Sequence, residues 1–299
     1  MEKVLPNFLI VGAAKAGTTS LYEYLRQHPG IFMPANAEWK KEPAYFVHGY
    51  GVNDFQKYLT LFKEGAGKKA IGEASSAYLY CEESPRWIKL VLGAIKIIII
   101  LRNPAQRAFS LYTWMAREGY ENAKTFAEAL GKESLRLDDP YFHHHCPEHL
   151  PNYLYFSSGL YFEQVKRYWE VFGKDRVRVF LFEDLVNNPI AVCRTVFEFL
   201  SVDSSFVPII KVHNEGRLPC SIALQSWLRS KGWASLMPIS SEYQRLLLEK
   251  AMNLNARFGR KPKIARELCN FLKERFEADI IKLEELLGRD LSSWYAKST

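Results

Sequence analysis

The sequence is short of the features that mark membrane and secreted chains. No apolar stretch approaches the ~20 residues needed to span a bilayer. The first residues, Met1-Glu-Lys-Val-Leu-Pro-Asn7, run straight into a strand-like segment instead of a signal peptide. Cysteine is sparse: the five, Cys81, Cys146, Cys193, Cys220 and Cys269, are odd in number, widely scattered and form no C-x-x-C pair. That argues against a disulfide framework and a zinc site, and suits a reducing compartment. Internal repeats and low-complexity tracts are missing, and no dense Lys/Arg run interleaves with aromatics as nucleic-acid binding would want. These absences lead us to expect a cytoplasmic chain with no membrane span and no nucleic-acid partner.

What is present is an ordinary globular composition. Of 299 residues, 48% are hydrophobic and 24% charged, and nothing shifts along the chain to mark a seam, so one domain covering 1–299 is expected. The net charge of +7 and pI of about 9.0 suit an anionic ligand.

Short apolar runs alternate with helical patterns. Residues 7–12 and 177–182 read as strands, and residues 95–101 (Ile-Lys-Ile-Ile-Ile-Ile-Leu) are the clearest of all, β-branched and apolar on both faces. Helices are predicted from Thr18 to just before His28, over 53–63, after Arg102-Asn103-Pro104 through Trp114, and over 158–171, 189–200, 241–257 and 265–287. The alternation predicts an α/β fold: a three-layer sandwich around a central, mostly parallel sheet, with a P-loop-like phosphate-binding loop. Residues 132–157, rich in His, Pro and Tyr, read as a long surface excursion near a substrate.

The first strand runs into Val11-Gly-Ala-Ala-Lys-Ala-Gly-Thr-Thr-Ser20. Gly12 and Gly17 stand at P-loop spacing, but the lysine expected after the second glycine is missing; Thr18 takes its place and Lys15 sits inside the loop. Glycines at this spacing serve packing as readily as anion binding. A glycine turn into a helix start presents amides and the positive end of the helix dipole to an anion, with Thr18, Thr19 and Ser20 adding hydroxyls. Nucleotide triphosphatases also hold their metal with an Asp after a buried strand. Here the strongest strand ends in Leu101-Arg102-Asn103-Pro104. An arginine there binds anions and repels metal ions, so the pattern is that of a metal-free nucleotide site with a second anion-binding point.

The segment Lys15-Ala-Gly-Thr-Thr-Ser20 resembles the 5′-phosphosulfate loop of sulfotransferases that use 3′-phosphoadenosine 5′-phosphosulfate (PAPS), in a bacterial type related to the heparan sulfate and carbohydrate enzymes. Ile97 through Tyr112 resembles their 3′-phosphate motif, in which an Arg and a Ser eight residues on hold the 3′-phosphate; Arg102 and Ser110 keep that spacing. Further blocks stand in the family's order: Lys41-Glu-Pro-Ala-Tyr-Phe46, Gly72-Glu-Ala-Ser-Ser-Ala-Tyr78, Ser158-Gly-Leu-Tyr-Phe162, Phe182-Glu-Asp-Leu185 and Leu286-Leu-Gly-Arg-Asp-Leu-Ser-Ser-Trp294.

The resemblance implies in-line, metal-free transfer of a sulfuryl group from PAPS to a hydroxyl of a sugar, lipid, small metabolite or carrier-bound chain, with an acyl carrier protein among the partners considered. The donor has no β- or γ-phosphate. A lysine is therefore wanted beside the bridging oxygen of the breaking bond, and Lys15 is placed for it. Lys15, Ala16, Gly17, Thr18, Thr19, Ser20, Arg102, Ser110 and Arg217 are the implied donor-binding residues.

Glu42 is the implied base. On residues alone it reads as a solvated glutamate beside Lys40 and Lys41, and the family match reverses that preference. Arg217 reads equally as a cofactor-closing arginine or an exposed loop residue, and Tyr161 as a core tyrosine ahead of one that bonds or stacks near the adenine. Two departures stand out. Heparan-type members carry a lysine after the Glu of the second block where this chain has Ala74, which favours an acceptor other than a sulfated polysaccharide. A histidine some members carry after the 3′-phosphate motif has no counterpart, with Trp114 in that neighbourhood. His143-His-His-Cys146 with His149 fits no zinc spacing, and no metal is expected. The alternatives are a P-loop kinase or nucleotide triphosphatase, and a catalytically silent nucleotide-binding module.

Overall fold

The structure is a computed structural model describing residues 3–35, 42–211, 218–230, 241–259 and 262–296. By its internal contacts the chain divides into two compact units: Met1–Asn103, Tyr161–His213 and Asp279–Leu291 in the first, Pro104–Leu160, Asn214–Ala278 and Ser292–Thr299 in the second. Elements are numbered in chain order.

The first unit contains β1 (Phe8–Gly12), α1 (Thr18–Leu25), β2 (Ile31–Phe32), α2 (Phe55–Thr60), β3 (Ala70–Ala74), α3 (Ser84–Leu92) and β4 (Lys96–Leu101). After the chain's excursion into the second unit come α8 (Tyr161–Phe172), β5 (Val177–Leu181), α9 (Phe182–Asn187) and α10 (Pro189–Leu200). All five strands are parallel, in the order β2-β3-β1-β4-β5. The predicted parallel sheet is thus present, with helices around it. Its runs are apolar on both sides because both sides are covered: every residue of β1 and of β3 is buried, and Ile97 through Leu101 are each 0% exposed. Each Phe, Leu, Ile or Val side chain buried there contributes roughly 1.5–3 kcal/mol of transfer free energy.

The order of the strands decides where a ligand can sit. From β1 the chain goes to β3 and β2 on one side and to β4 and β5 on the other. Connections therefore diverge at the carboxyl ends of β1 and β4, and in open parallel sheets that divergence opens the crevice where ligands bind. The pairing of β1 with β4 also shifts register between Ile10 and Gly12, an irregularity that re-aims the end of β1.

The second unit is helical. It contains α4 (Pro104–Arg117), α5 (Phe126–Gly131), α6 (Glu133–Asp138), α7 (Pro140–His145), α11 (Ile222–Arg229) and α12 (Ser241–Arg257), together with the first part of α13 (Arg266–Leu287) and α14 (Ser292–Tyr295).

The expectation of a surface excursion over 132–157 holds for its middle, where α7 buries no residue, and is corrected at its ends. The stretch folds into short helices and puts Tyr153, Leu154 and Tyr155 in the core, at 1%, 1% and 0% exposure. Buried polar pairs hold it. Glu121, fully buried, accepts from Arg136 Nη2 (2.8 Å), Tyr155 Oη (2.7 Å) and Ala123 N (2.9 Å), while the Glu133 carboxylate accepts from the amides of Phe156 and Ser157, both at 2.8 Å. Burial by itself would raise the Glu121 pKa, but hydrogen bonds led by Arg136 outweigh it and hold the carboxyl below its usual value.

With its folded pKa depressed, Glu121 contributes stability above the ordinary carboxylate range and loses that contribution as pH falls through the lowered value. Arg136→Met leaves the carboxylate buried without its charge partner, so it is expected to cost about 3 kcal/mol at neutral pH. The cost shrinks in acid, where the orphaned carboxyl takes up a proton. Urea unfolding at pH 7 and pH 5 checks this; equal losses at both would mean the pair carries no such charge.

Among the described residues, no helix is long and apolar enough to cross a membrane.

Candidate functional site

Lys15, Arg102 and Glu42 all belong to the first unit and to its carboxyl edge, because each follows or is tied to the end of one of three neighbouring parallel strands. Ser110 lies half-buried on α4 in the second unit. Arg217 lies outside the described residues.

The loop between β1 and α1 is built around its own backbone. Ala13 N donates to Ile100 O of β4 (2.7 Å) and Ala16 N to Ala13 O (3.1 Å), drawing residues 13–16 into a tight turn. Lys15 sits in the left-handed region at φ 67°, as does Gly17 at φ 95°. Gly17 is required for two reasons: its φ, and the approach of α9. A Cβ there would lie 3.0 Å from Leu185 Cδ2 and 3.1 Å from Phe182 Cδ2. Its need for glycine is accounted for without an anion.

The start of α1 is the part of the loop whose groups suit an anion. Gly17 caps that helix with no side-chain hydrogen bond, and no acidic residue stands in the first turn. The first-turn amides and the dipole therefore act without a competing carboxylate. Thr18 is buried, Thr19 and Ser20 are half-buried, and Ala16 is fully enclosed and serves the turn.

Arg102 is joined to this loop directly. Its Nη1 donates to the carbonyl oxygen of Lys15 at 3.3 Å, and its guanidinium lies 4.5 Å from the ring centroid of Phe182, the first residue of α9. Tyr161 is core, as expected, and it is also a support. Its hydroxyl donates to Arg102 O at 3.1 Å, while its own amide donates to Asp279 Oδ2 at 2.7 Å. Burial raises the Asp279 pKa even though these amides favour the charged form. A chain of positioning contacts therefore runs from Asp279 through Tyr161 to Arg102 and on to the backbone of Lys15.

Glu42 enters from another direction. Its carboxylate accepts from Ser76 Oγ (3.0 Å to Oε2, 3.3 Å to Oε1) and from Ser76 N at 3.4 Å. Ser76 lies just past β3, and a Cβ built at Gly12 would lie 2.6 Å from Leu79 Cβ and 3.2 Å from Ser76 O. The turn after β3 thus packs directly on the start of the β1 loop.

Residue patterns alone could not have found Ser76 or Phe182. The first stands inside the Gly72–Tyr78 block but 34 positions from its partner, and the aromatic at the head of the Phe182-Glu-Asp-Leu185 block was a visible signal without a stated contact. That block is also tied to the Leu286–Trp294 block: Arg289 meets Asp184 through both guanidinium nitrogens, at 2.7 and 3.0 Å, and this contact, first among the causes, lowers the Asp184 pKa.

The histidines of α7 are engaged locally. A ring nitrogen of His143 bonds Arg136 O and one of His145 bonds Tyr141 O, both at 2.8 Å, and His145 stacks on Tyr141. Among the described residues no three His, Cys, Asp or Glu side chains are grouped to hold a metal ion.

A family model described as the sulfotransferase domain matches residues 5–215. A crystal structure of a sulfotransferase from Alicyclobacillus acidocaldarius superposes with a TM-score of 0.71 at 31% identity, covering 98% of this chain and 100% of that one. Among curated relatives, a membrane-associated sulfotransferase of Dictyostelium discoideum, kil1, is 22% identical over a match covering 67% of this chain and 56% of the relative. The human heparan sulfate glucosamine 3-O-sulfotransferase 5 is 27% identical, over 66% of this chain and 54% of the relative. The chain spans about half the length of these curated relatives.

Proposed function

Since this chain belongs to the sulfotransferase family, we propose that it transfers a sulfuryl group from 3′-phosphoadenosine 5′-phosphosulfate to an acceptor hydroxyl, in line and without a metal. The observation that carries this reading is the contact of Arg102 with the carbonyl of Lys15. It sets the β1 loop and the strand-end guanidinium side by side where the strand connections diverge, which supports a nucleotide with phosphate at both its 5′ and 3′ positions.

Loop amides at the α1 terminus hold the 5′-phosphate, with Thr18, Thr19 and Ser20 adding hydroxyls. Arg102 holds the 3′-phosphate. Lys15 stands at the bridging oxygen. The acceptor oxygen attacks sulfur, its proton passes to the Glu42 carboxylate, and the sulfur–oxygen bond to the 5′-phosphate breaks. The electron pair stays on the phosphate, whose growing charge Lys15 and the amides stabilise. Arg102 at the end of β4, where a triphosphatase would carry a metal-holding Asp, supports a metal-free course. Magnesium dependence of turnover would instead favour a kinase or triphosphatase.

Ala74 is fully buried at the end of β3, in the place where heparan-type members have a lysine, and this supports an acceptor other than a sulfated polysaccharide. Labelled-donor transfer across sugars, lipids, small metabolites and carrier-protein-tethered β-hydroxyacyl groups identifies the acceptor. If no panel member is sulfated and no adenosine 3′,5′-bisphosphate is released, the reading fails. Glu42→Gln is expected to bind that bisphosphate normally and transfer about 10²-fold more slowly, the typical worth of a general base. An unchanged rate would move the base elsewhere.

A further inference from the structure

We propose that Ser76 is a positioning residue for the transfer reaction, its hydroxyl holding the Glu42 carboxylate in the orientation that receives the acceptor's proton. This rests on the reading of Glu42 as the base.

The contact is made between two framed segments. On the Glu42 side, Pro43 O accepts from Val52 N (2.8 Å), Ala44 N donates to Ser75 Oγ (2.9 Å), and Ser84 Oγ donates to Phe46 O (2.6 Å). On the Ser76 side, Leu79 N donates to Val11 O of β1 (2.8 Å). The Tyr78 hydroxyl is anchored on Glu73 Oε1 (2.7 Å), a fully buried carboxylate on β3 that also accepts from Tyr58 Oη at 3.4 Å. Burial first, and the adjacent Glu73 next, push both phenols well above their usual pKa, so they stay protonated and donate.

Neither segment can shift without breaking these bonds. The segments that carry the Ser76 Oγ–Glu42 contact at 3.0 Å are therefore held on both sides of it. A carboxylate at the end of a flexible side chain gains most from one well-placed donor, since misorientation of a reacting group costs rate steeply. Ala74, two residues earlier, brings no cation to this end of β3, and the hydroxyl at 76 supplies orientation without placing a competing charge beside the base.

The test is a double-mutant cycle on the full chain with labelled donor and the best acceptor found. Ser76→Ala is expected to lower kcat about tenfold, the usual worth of one hydrogen bond to a charged group. KM values for both substrates stay within about twofold and the bisphosphate binds normally by calorimetry. In the Glu42→Gln background the same change is expected to alter kcat less than about twofold, because groups acting as one unit are not additive. Ser76→Thr, which keeps the hydroxyl, restores most of the rate.

An equal, additive loss in both backgrounds marks a merely structural serine and overturns the inference. So does a Ser76→Ala enzyme with wild-type kcat. If Glu42→Gln itself transfers at the wild-type rate, the base assignment fails first and this inference falls with it, visibly for a different reason. Should Ser76→Ala not fold, Ser76→Cys carries the same cycle, with similar volume and a weak donor.

Discussion

Lys15→Ala is expected to lose at least about 10³-fold in kcat/KM while still binding adenosine 3′,5′-bisphosphate within a few-fold of the parent. The magnitude comes from where the charge is needed. Transfer of a sulfuryl group demands little covalent help, and most of the barrier is the negative charge that grows on the departing phosphate oxygen. Removing one fixed donor from such a position typically costs about 10²- to 10³-fold, and a full cation stands above a neutral donor.

The backbone makes this a clean substitution. Lys15 adopts φ 67° within a turn closed by Ala16 N to Ala13 O. Alanine meets the same left-handed penalty as lysine, so the loop's conformational cost is unchanged. The Arg102 tether reaches the carbonyl of residue 15, which any side chain leaves in place. Loss of activity with retained product binding would thus report the ammonium group and not a collapsed loop. Normal turnover by the variant would refute the role given to it.

Much of the frame was legible from the residues because it depends on local pattern. β1, β4 and β5 fall where unbroken apolar runs stand, and α10 (Pro189–Leu200) and α12 (Ser241–Arg257) keep the boundaries that periodicity predicts. The two-residue β2 was missed because Ile31-Phe32 is too short to show a period, and α3 because its only clear signal is Pro85 behind an acidic pair. The region 132–157 misled for a physical reason. Its buried part is disguised as polar surface, since Glu133 and Arg136 are buried only by virtue of partners brought to them by folding, Glu121 among them.

The same division holds at the site. Glycine spacing, a strand-end arginine and a lysine inside a loop can be read in one dimension. The hydroxyl of Ser76, the ring of Phe182 beneath Arg102 and the Asp279–Tyr161 support cannot, because each gains its meaning from a contact between distant parts of the chain. The clasp of Arg289 on Asp184, 105 positions apart, turns two separate sequence blocks into one feature.

Arg102→Ala should separate the two phosphates of the donor. Binding of adenosine 3′,5′-bisphosphate is expected to weaken about 10³-fold, roughly 4 kcal/mol, as when one partner of a hydrogen-bonded charge pair is removed. Binding of AMP, which lacks the 3′-phosphate, should weaken only a few-fold. That smaller loss is predicted to be above zero, because the guanidinium also tethers the loop through Lys15 O and rests on Phe182, and cutting both contacts loosens the amides that hold the 5′-phosphate. Arg102→Lys keeps the charge but not the planar fork that bonds loop and phosphate together, so it should fall between the two, nearer to alanine. Calorimetry with both nucleotides against all three proteins decides the matter. Equal losses for the bisphosphate and AMP would reduce Arg102 to a loop support, and the 3′-phosphate would need another partner.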